Sequence, residues 1–193
     1  MNYLAFTGLI NGILSFSLGF FVLLNNRKAI INITYFIFDT AIALFGFGYF
    51  FWQLSKNSAD VLFWFKILTV GIIYINVTFL HVSLSILGKV KEKKKFITIL
   101  YILNTLFVVV NFKSLLYTHL EPRYGFGYWP IPTKIFYVYL LFWFWQACYG
   151  LNILYKGFLT SSGHKREQIR YFMIGCIIGF VGGFTNWPLW FNI

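Results

Sequence analysis

The stretch Gly88–Lys95 reads Gly-Lys-Val-Lys-Glu-Lys-Lys-Lys and lies between two apolar runs, each long enough to cross a bilayer. Five of the chain's sixteen Lys and Arg residues sit in these eight positions. Moving such a cluster through a membrane during insertion is costly, so cytoplasmic loops hold an excess of Lys and Arg. The spacing therefore predicts a membrane chain with this loop inside, and every other segment can be placed relative to it.

A helix crossing about 30 Å of hydrocarbon needs roughly 20 apolar residues at 1.5 Å each. Six segments meet or approach that length: Tyr3–Leu24, Ala29–Leu54, Val61–Leu87, Phe96–Phe112, Thr133–Tyr155 and Ile169–Phe191. The pattern predicts an all-α polytopic helical bundle, a single transmembrane domain over 1–193, with short connections that make the first four helices antiparallel neighbours. The stretches Lys113–Pro132 and Lys156–Gln168, rich in Pro, Gly and Ser, read as longer loops. With Lys89–Lys95 inside, the first and fifth loops are inside too. That places Arg27, Lys28, Lys156, Lys165, Arg166 and Arg170 there, so eleven basic residues lie inside. Lys56, Lys66, Lys113, Arg123 and Lys134 make five outside. Tryptophan points the same way. Trp52, Trp64, Trp129, Trp187 and Trp190 fall at the outer helix ends or in the outer loop, and only Trp143 and Trp145 lie at depth. The expected topology has the N-terminus outside, and six crossings leave Ile193 outside as well.

Composition supports lipid and excludes other classes. Hydrophobic residues make up 59% of the chain and charged residues 11%, which is too apolar for a soluble domain of this length. A net charge of +11 would suit nucleic acid if it lined one solvated face, but here it falls in short clusters between apolar runs. Anionic lipid headgroups are the natural electrostatic partner, and nucleic acid is not one. Cys148 and Cys176 stand inside apolar runs with no CxxC and no adjacent His, so they read as packing residues, and no metal or cofactor is expected. The opening Met-Asn-Tyr-Leu lacks the basic start of a signal peptide, so the first helix is expected in the mature protein. The sequence contains no HExxH, GxSxG, P-loop or paired carboxylates, and no enzyme is expected.

Several stretches together resemble the N-terminal seven-transmembrane region of bacterial sensor histidine kinases. They are Ala41–Trp52, Ser58–Lys66 and Phe79–Ser83. A basic segment with Gly163, Arg166, Gln168 and Arg170 follows, running into Tyr171–Pro188. The resemblance implies a sensory input region in the plasma membrane, passing a stimulus through a seventh helix to a cytoplasmic histidine kinase or other output module. Neither that helix nor an output domain is seen in these residues. The alternatives are a small transporter or carrier subunit, against which stand the lack of an inverted repeat and of Pro-broken helices, and a scaffold for a separate kinase chain.

A few residues are candidates for binding. Asp39 is the one acidic residue deep inside a helix, where a charge is costly and normally faces a partner. Counting from the inner helix ends, Asp39 and Asn76 both lie about 15 Å deep and are placed to hydrogen-bond, with Asn104 and Gln146 near the same depth. The preferred reading is that these groups hold helices together, and the alternative is a ligand or proton site. Gly175, Gly179 and Gly183 fall on one face of the sixth helix, as Gly8 and Gly12 do on the first. Close packing within the bundle is preferred there to homodimerisation. Lys66 is expected to snorkel outward, and His81 to be a buried hydrogen-bonder. The outer loop, with Tyr117, Glu121, Arg123, Tyr124, Phe126, Tyr128 and Trp129, is a candidate lid over a pocket for a small apolar or amphipathic ligand. The alternative is a loop lying flat on the headgroups.

Overall fold

The computed structural model describes residues 3–123 and 125–191, so Tyr124 of the candidate lid and the terminal Ile193 lie outside the described residues. Six long helices form, α1 (Tyr3–Asn25), α2 (Ile30–Leu54), α3 (Ser58–Ile86), α4 (Lys94–Phe112), α5 (Lys134–Thr160) and α6 (Gly163–Phe184), followed by a short α7 (Trp187–Phe191). By length and apolar composition, α1, α2, α3, α4 and the stretch Gly163–Phe191 qualify as membrane spans. The chain is a multi-pass helical bundle whose outer surface, carrying exposed residues such as Ile99, Ile102, Leu141 and Ile178, suits a lipid bilayer.

Helix ends follow local chemistry. Asn57 caps α3 by accepting from the Asp60 backbone N–H at 2.9 Å, which starts the helix three residues before the expected Val61. At its other end Gly88 takes φ +71°, and Lys89 N–H reaches back to Leu84 O at 2.8 Å, a left-handed stop that only glycine adopts without strain. The expected loop Lys156–Gln168 is almost entirely helical, because α5 runs to Thr160 and α6 begins at Gly163. Its basic residues therefore ride on helical extensions. The last expected span breaks into α6 and α7 through a turn around Thr185 and Asn186.

The long loop expected on the outer side is also ordered. Tyr117–Arg123 and Phe126–Pro132 form antiparallel strands β1 and β2, joined through Gly125 at φ +82°. A lone two-stranded hairpin is marginal in water, so this one depends on what it packs against. Leu116, Tyr117 and Trp129 are buried, and Thr133 ties the base by bonding to the carbonyls of Leu115 and Leu116. The hairpin folds over the helix ends, with Trp129 against Trp52 of α2 and Tyr117 against Phe65 of α3.

α3 is the central helix, buried along most of its length and packed against α2, α4 and α5, while α1 packs on α2 and α6 on α5. Tight glycine contacts hold the α1–α2–α3 side. A Cβ at Gly46 would lie 2.6 Å from the backbone nitrogen of Gly12, and one at Gly71 would lie 2.5 Å from that of Phe45. The expected close packing of α1 through Gly8 and Gly12 is therefore present.

Candidate functional site

Between α2, α3, α5 and α6 runs a cavity of about 680 Å³. On α2 its wall recurs at helical spacing, through Tyr35, Phe38, Asp39, Ile42, Tyr49 and Trp52. Across it stand Phe65, Leu68, Thr69 and Ile72 of α3 and Phe136, Tyr139 and Leu140 of α5. The third wall is α6.

That wall departs from expectation. Gly175, Gly179 and Gly183 do not pack against a neighbouring helix, since a Cβ at any of them would meet nothing within 4 Å. The cause is the larger side chains of α6. Phe180 wedges against Phe79 and Trp143 with ring centroids at 5.1 and 5.7 Å, and Phe184 against Trp143 at 5.7 Å. These rings dock α6 on α3 and α5 and leave its glycines lining the cavity. At the inner end, Phe172 reaches across to Tyr35 and Phe38 of α2, at 6.3 and 6.1 Å.

The outer end is roofed by aromatic rings. Trp129 of β2 lies 4.8 Å from Trp190 of α7 and 5.9 Å from Trp52 of α2, and Phe126 stacks on Trp52 at 5.6 Å. Trp190 in turn contacts Phe136 and Tyr117. Trp52, Trp129 and Trp190 thus form a lid, with Trp52 and Trp129 buried, whereas Trp64 stacks on Phe51 away from the cavity and the Trp187 side chain lies outside the described residues. Below this roof, Tyr117 and Thr69 share a hydrogen bond of 3.2 Å, and burial pushes the Tyr117 hydroxyl well above its ordinary pKa, so it stays protonated.

The polar residues expected to form one layer separate into two groups. Asn76 does not pair with Asp39, because its Nδ2 donates to Trp143 O at 2.6 Å and binds α3 to α5. Asn104 donates to Gln146 Oε1 at 3.0 Å, joining α4 to α5. Both are helix-to-helix contacts, and although Trp143 lines the cavity, Asn76, Asn104 and Gln146 do not, so Asn76 and Gln146 are not brought to the candidate binding space. Asp39 and Trp129 are. Asp39 is 4% exposed, faces the gap left by Gly19 of α1, and its Oδ2 has no hydrogen-bond partner. Two further cavity residues are in the same condition, Trp129 at Nε1 and Tyr139 at its hydroxyl. Tyr139 escaped the sequence reading because a tyrosine in an aromatic-rich helix carries no signal by itself. The register of the α2 wall, by contrast, was readable in the spacing from Tyr35 to Trp52.

Lys66, His81 and the two cysteines lie around this site. Lys66 reaches Phe112 O at 3.2 Å and Ser114 Oγ at 2.7 Å, at the outer end of α4. His81 bonds the Tyr101 hydroxyl at 3.1 Å. Cys148 is exposed on α5 whereas Cys176 faces the cavity, so both are free thiols that look in different directions. Among the described residues no cluster of His, Cys, Asp and Glu has the makings of a metal site.

An apolar cavity inside a helical bundle of membrane-spanning character, lidded by an ordered hairpin, defines a polytopic protein with an internal cavity. Residues 8–191 match the N-terminal 7TM region of histidine kinase, and the chain belongs to that family. It is accordingly a membrane sensory input region of the histidine-kinase kind. No curated protein and no solved structure matches it.

Proposed function

We propose that this region, in the plasma membrane with its N-terminus outside, binds a small apolar or amphipathic ligand in the cavity and passes the event to a cytoplasmic output module. The observation that carries the reading is the asymmetry of the cavity walls. α2 and α3 are locked by backbone-to-backbone glycine contacts, while α6 rests on a few aromatic rings and presents an open glycine face. Occupancy of the cavity then favours one position of α6 over another, which is the differential interaction that a population shift requires. The helical extensions at Lys156–Thr160 and Gly163–Arg170 carry such a shift beyond the hydrocarbon on the inner side.

Hydrogen exchange on the full chain in lipid nanodiscs tests the mechanism. Adding a long-chain fatty acid as probe slows exchange across α6 and leaves α1 and α2 unchanged; equal exchange in both regions with the probe demonstrably bound overturns it. A membrane-impermeant amine reagent tests the orientation. On intact cells it is expected to modify Lys56 and Lys113 and to reach Lys93 only after lysis. Modification of Lys93 in intact cells inverts the topology and removes the outward-facing lid.

A further inference from the structure

The cavity's unpartnered polar atoms are spaced in a way that specifies its occupant. Asp39, Trp129 and Tyr139 are 4%, 3% and 2% exposed, each lines the cavity, and each has a buried atom without a hydrogen-bond partner. Leaving such a group unsatisfied in an apolar interior costs about 1 to 3 kcal/mol, so a ligand that completes it gains specificity as well as affinity. The atoms differ in sense. Trp129 Nε1–H can only donate and the Tyr139 hydroxyl has a proton to give, so the outer end offers donors to an acceptor. The deep end offers the Asp39 carboxyl, and among the described residues no Lys or Arg lines the cavity to pair with it.

The two ends are far apart. Trp129 packs against Trp52, and Trp52 is thirteen residues beyond Asp39 on α2, or about 20 Å along the helix axis. Between them the wall is mostly apolar or aromatic, with Ile42, Phe45 and Tyr49 on α2 and the glycines on α6, and Asn11 of α1 and Thr69 of α3 are further polar residues lining it. Those glycines leave open space along that face, since a Cβ at Gly175, Gly179 or Gly183 would meet nothing within 4 Å. Carbon–carbon bonds of about 1.52 Å at near-tetrahedral angles advance roughly 1.25 Å each, so about sixteen methylenes bridge the gap.

We propose that the cavity is a site for a long, single-chain amphiphile with a hydroxyl at its far end: a carboxylate or carbonyl head accepts from Trp129 and Tyr139, the hydrocarbon chain lies along the α6 glycines, and the terminal hydroxyl donates to Asp39. This rests on the reading of the cavity as a ligand site, and adds the chemical class that the site selects. An ordinary membrane lipid or plain fatty acid fits the channel but leaves Asp39 unsatisfied.

The experiment compares 16-hydroxyhexadecanoic acid with hexadecanoic acid, binding each to the full chain in phosphatidylglycerol nanodiscs, with native mass spectrometry and tryptophan fluorescence as readouts. The hydroxylated acid is expected to bind about tenfold more tightly. Asp39→Ala is expected to erase that preference while leaving hexadecanoic acid binding within about twofold. Trp129→Phe and Tyr139→Phe, which keep the rings, weaken both acids alike by about three- to tenfold. Should Asp39→Ala fail to fold, Gly179→Leu provides the check, because it sets a side chain into the open channel and is expected to abolish binding of both acids. Equal affinity for the two acids in the natural chain overturns the proposal, as does a preference that survives Asp39→Ala. Preference without any change in α6 exchange leaves this assignment standing and sinks the sensory mechanism instead, so the two fail separately.

Discussion

The first and sixth helices carry the same small-residue spacing and use it in opposite ways. In α1, Gly8 and Gly12 bring the backbone against Gly46 of α2, so that a Cβ at Gly46 would sit 2.9 Å from Gly8 O as well as 2.6 Å from Gly12 N. In α6, Gly175, Gly179 and Gly183 meet nothing within 4 Å and form one wall of a cavity. The spacing shows that a face is smooth; what lies opposite is decided by the larger neighbours. α1 presents its glycines to Gly46 of α2 and to the rings of Phe47 and Tyr49 beside it, and the two backbones close on each other. α6 has Phe172, Phe180 and Phe184 flanking its glycines, and these rings meet α2, α3 and α5 first and hold the backbone off.

The largest effect expected from breaking this contrast is at Gly46. Gly46→Val drives a branched side chain into the backbone of α1, which cannot yield without the helix moving, and overpacking of that kind costs about 3 kcal/mol. The readout is the midpoint of denaturation in mixed micelles, and a wild-type midpoint would mean that α1 is not seated where the glycines place it. Gly12→Ala probes the same interface more gently. Its Cβ would meet the ring of Phe47 at 2.9 Å, and a ring can tilt where a backbone cannot. The expected loss is about 1 to 2 kcal/mol, and Phe47→Ala in the same chain should relieve most of it.

How much of this was legible beforehand follows the same division. Helix number, the short turns and the packing of α1 were readable because hydropathy and charge act along the chain and need no knowledge of partners. The burial of Asn76, Asn104 and Gln146 was readable for the same reason, since an amide at mid-membrane must find a partner. Which partner it finds was not. Asp39 and Asn76 have similar depth, yet Asn76 bonds to Trp143 of α5 while Asp39 lies beside Gly19 of α1 and lines the cavity, and depth says nothing about azimuth. The hairpin was hidden by its three prolines, Pro122, Pro130 and Pro132, which read as loop. They are tolerated because in a two-stranded ladder a proline can turn its missing donor away from the partner strand. Tyr139 gave no signal at all until the fold set it in the cavity wall.

The tight side of the molecule also depends on polar contacts, at a smaller scale. The Asn104–Gln146 hydrogen bond is buried at both ends and joins α4 to α5. Intramembrane pairs of this kind contribute about 1 kcal/mol, because an unfolded chain in lipid also finds partners for its amides. A double-mutant cycle with Asn104→Ala and Gln146→Ala is expected to return a coupling of that size. A coupling near zero would assign the stability of the α4–α5 contact to its rings, such as Phe107 against Tyr139 and Phe142.

The smallest expected change has the opposite sign and separates the two glycine faces most cleanly. Gly179→Ala adds a methyl group into open space and removes a residue that is conformationally costly in a helix, so α6 should gain about 0.5 kcal/mol where the same exchange at Gly12 loses stability. The denaturation midpoint should rise slightly, and exchange of α6 amides should slow without any ligand. A loss of stability at Gly179 would place a neighbouring surface against α6, either a second copy of the chain or another helix. The cavity would then be an interface and not a binding space. A gain keeps the wall open, and opposite signs for one substitution on two identical motifs would make the asymmetry of the bundle a measured property.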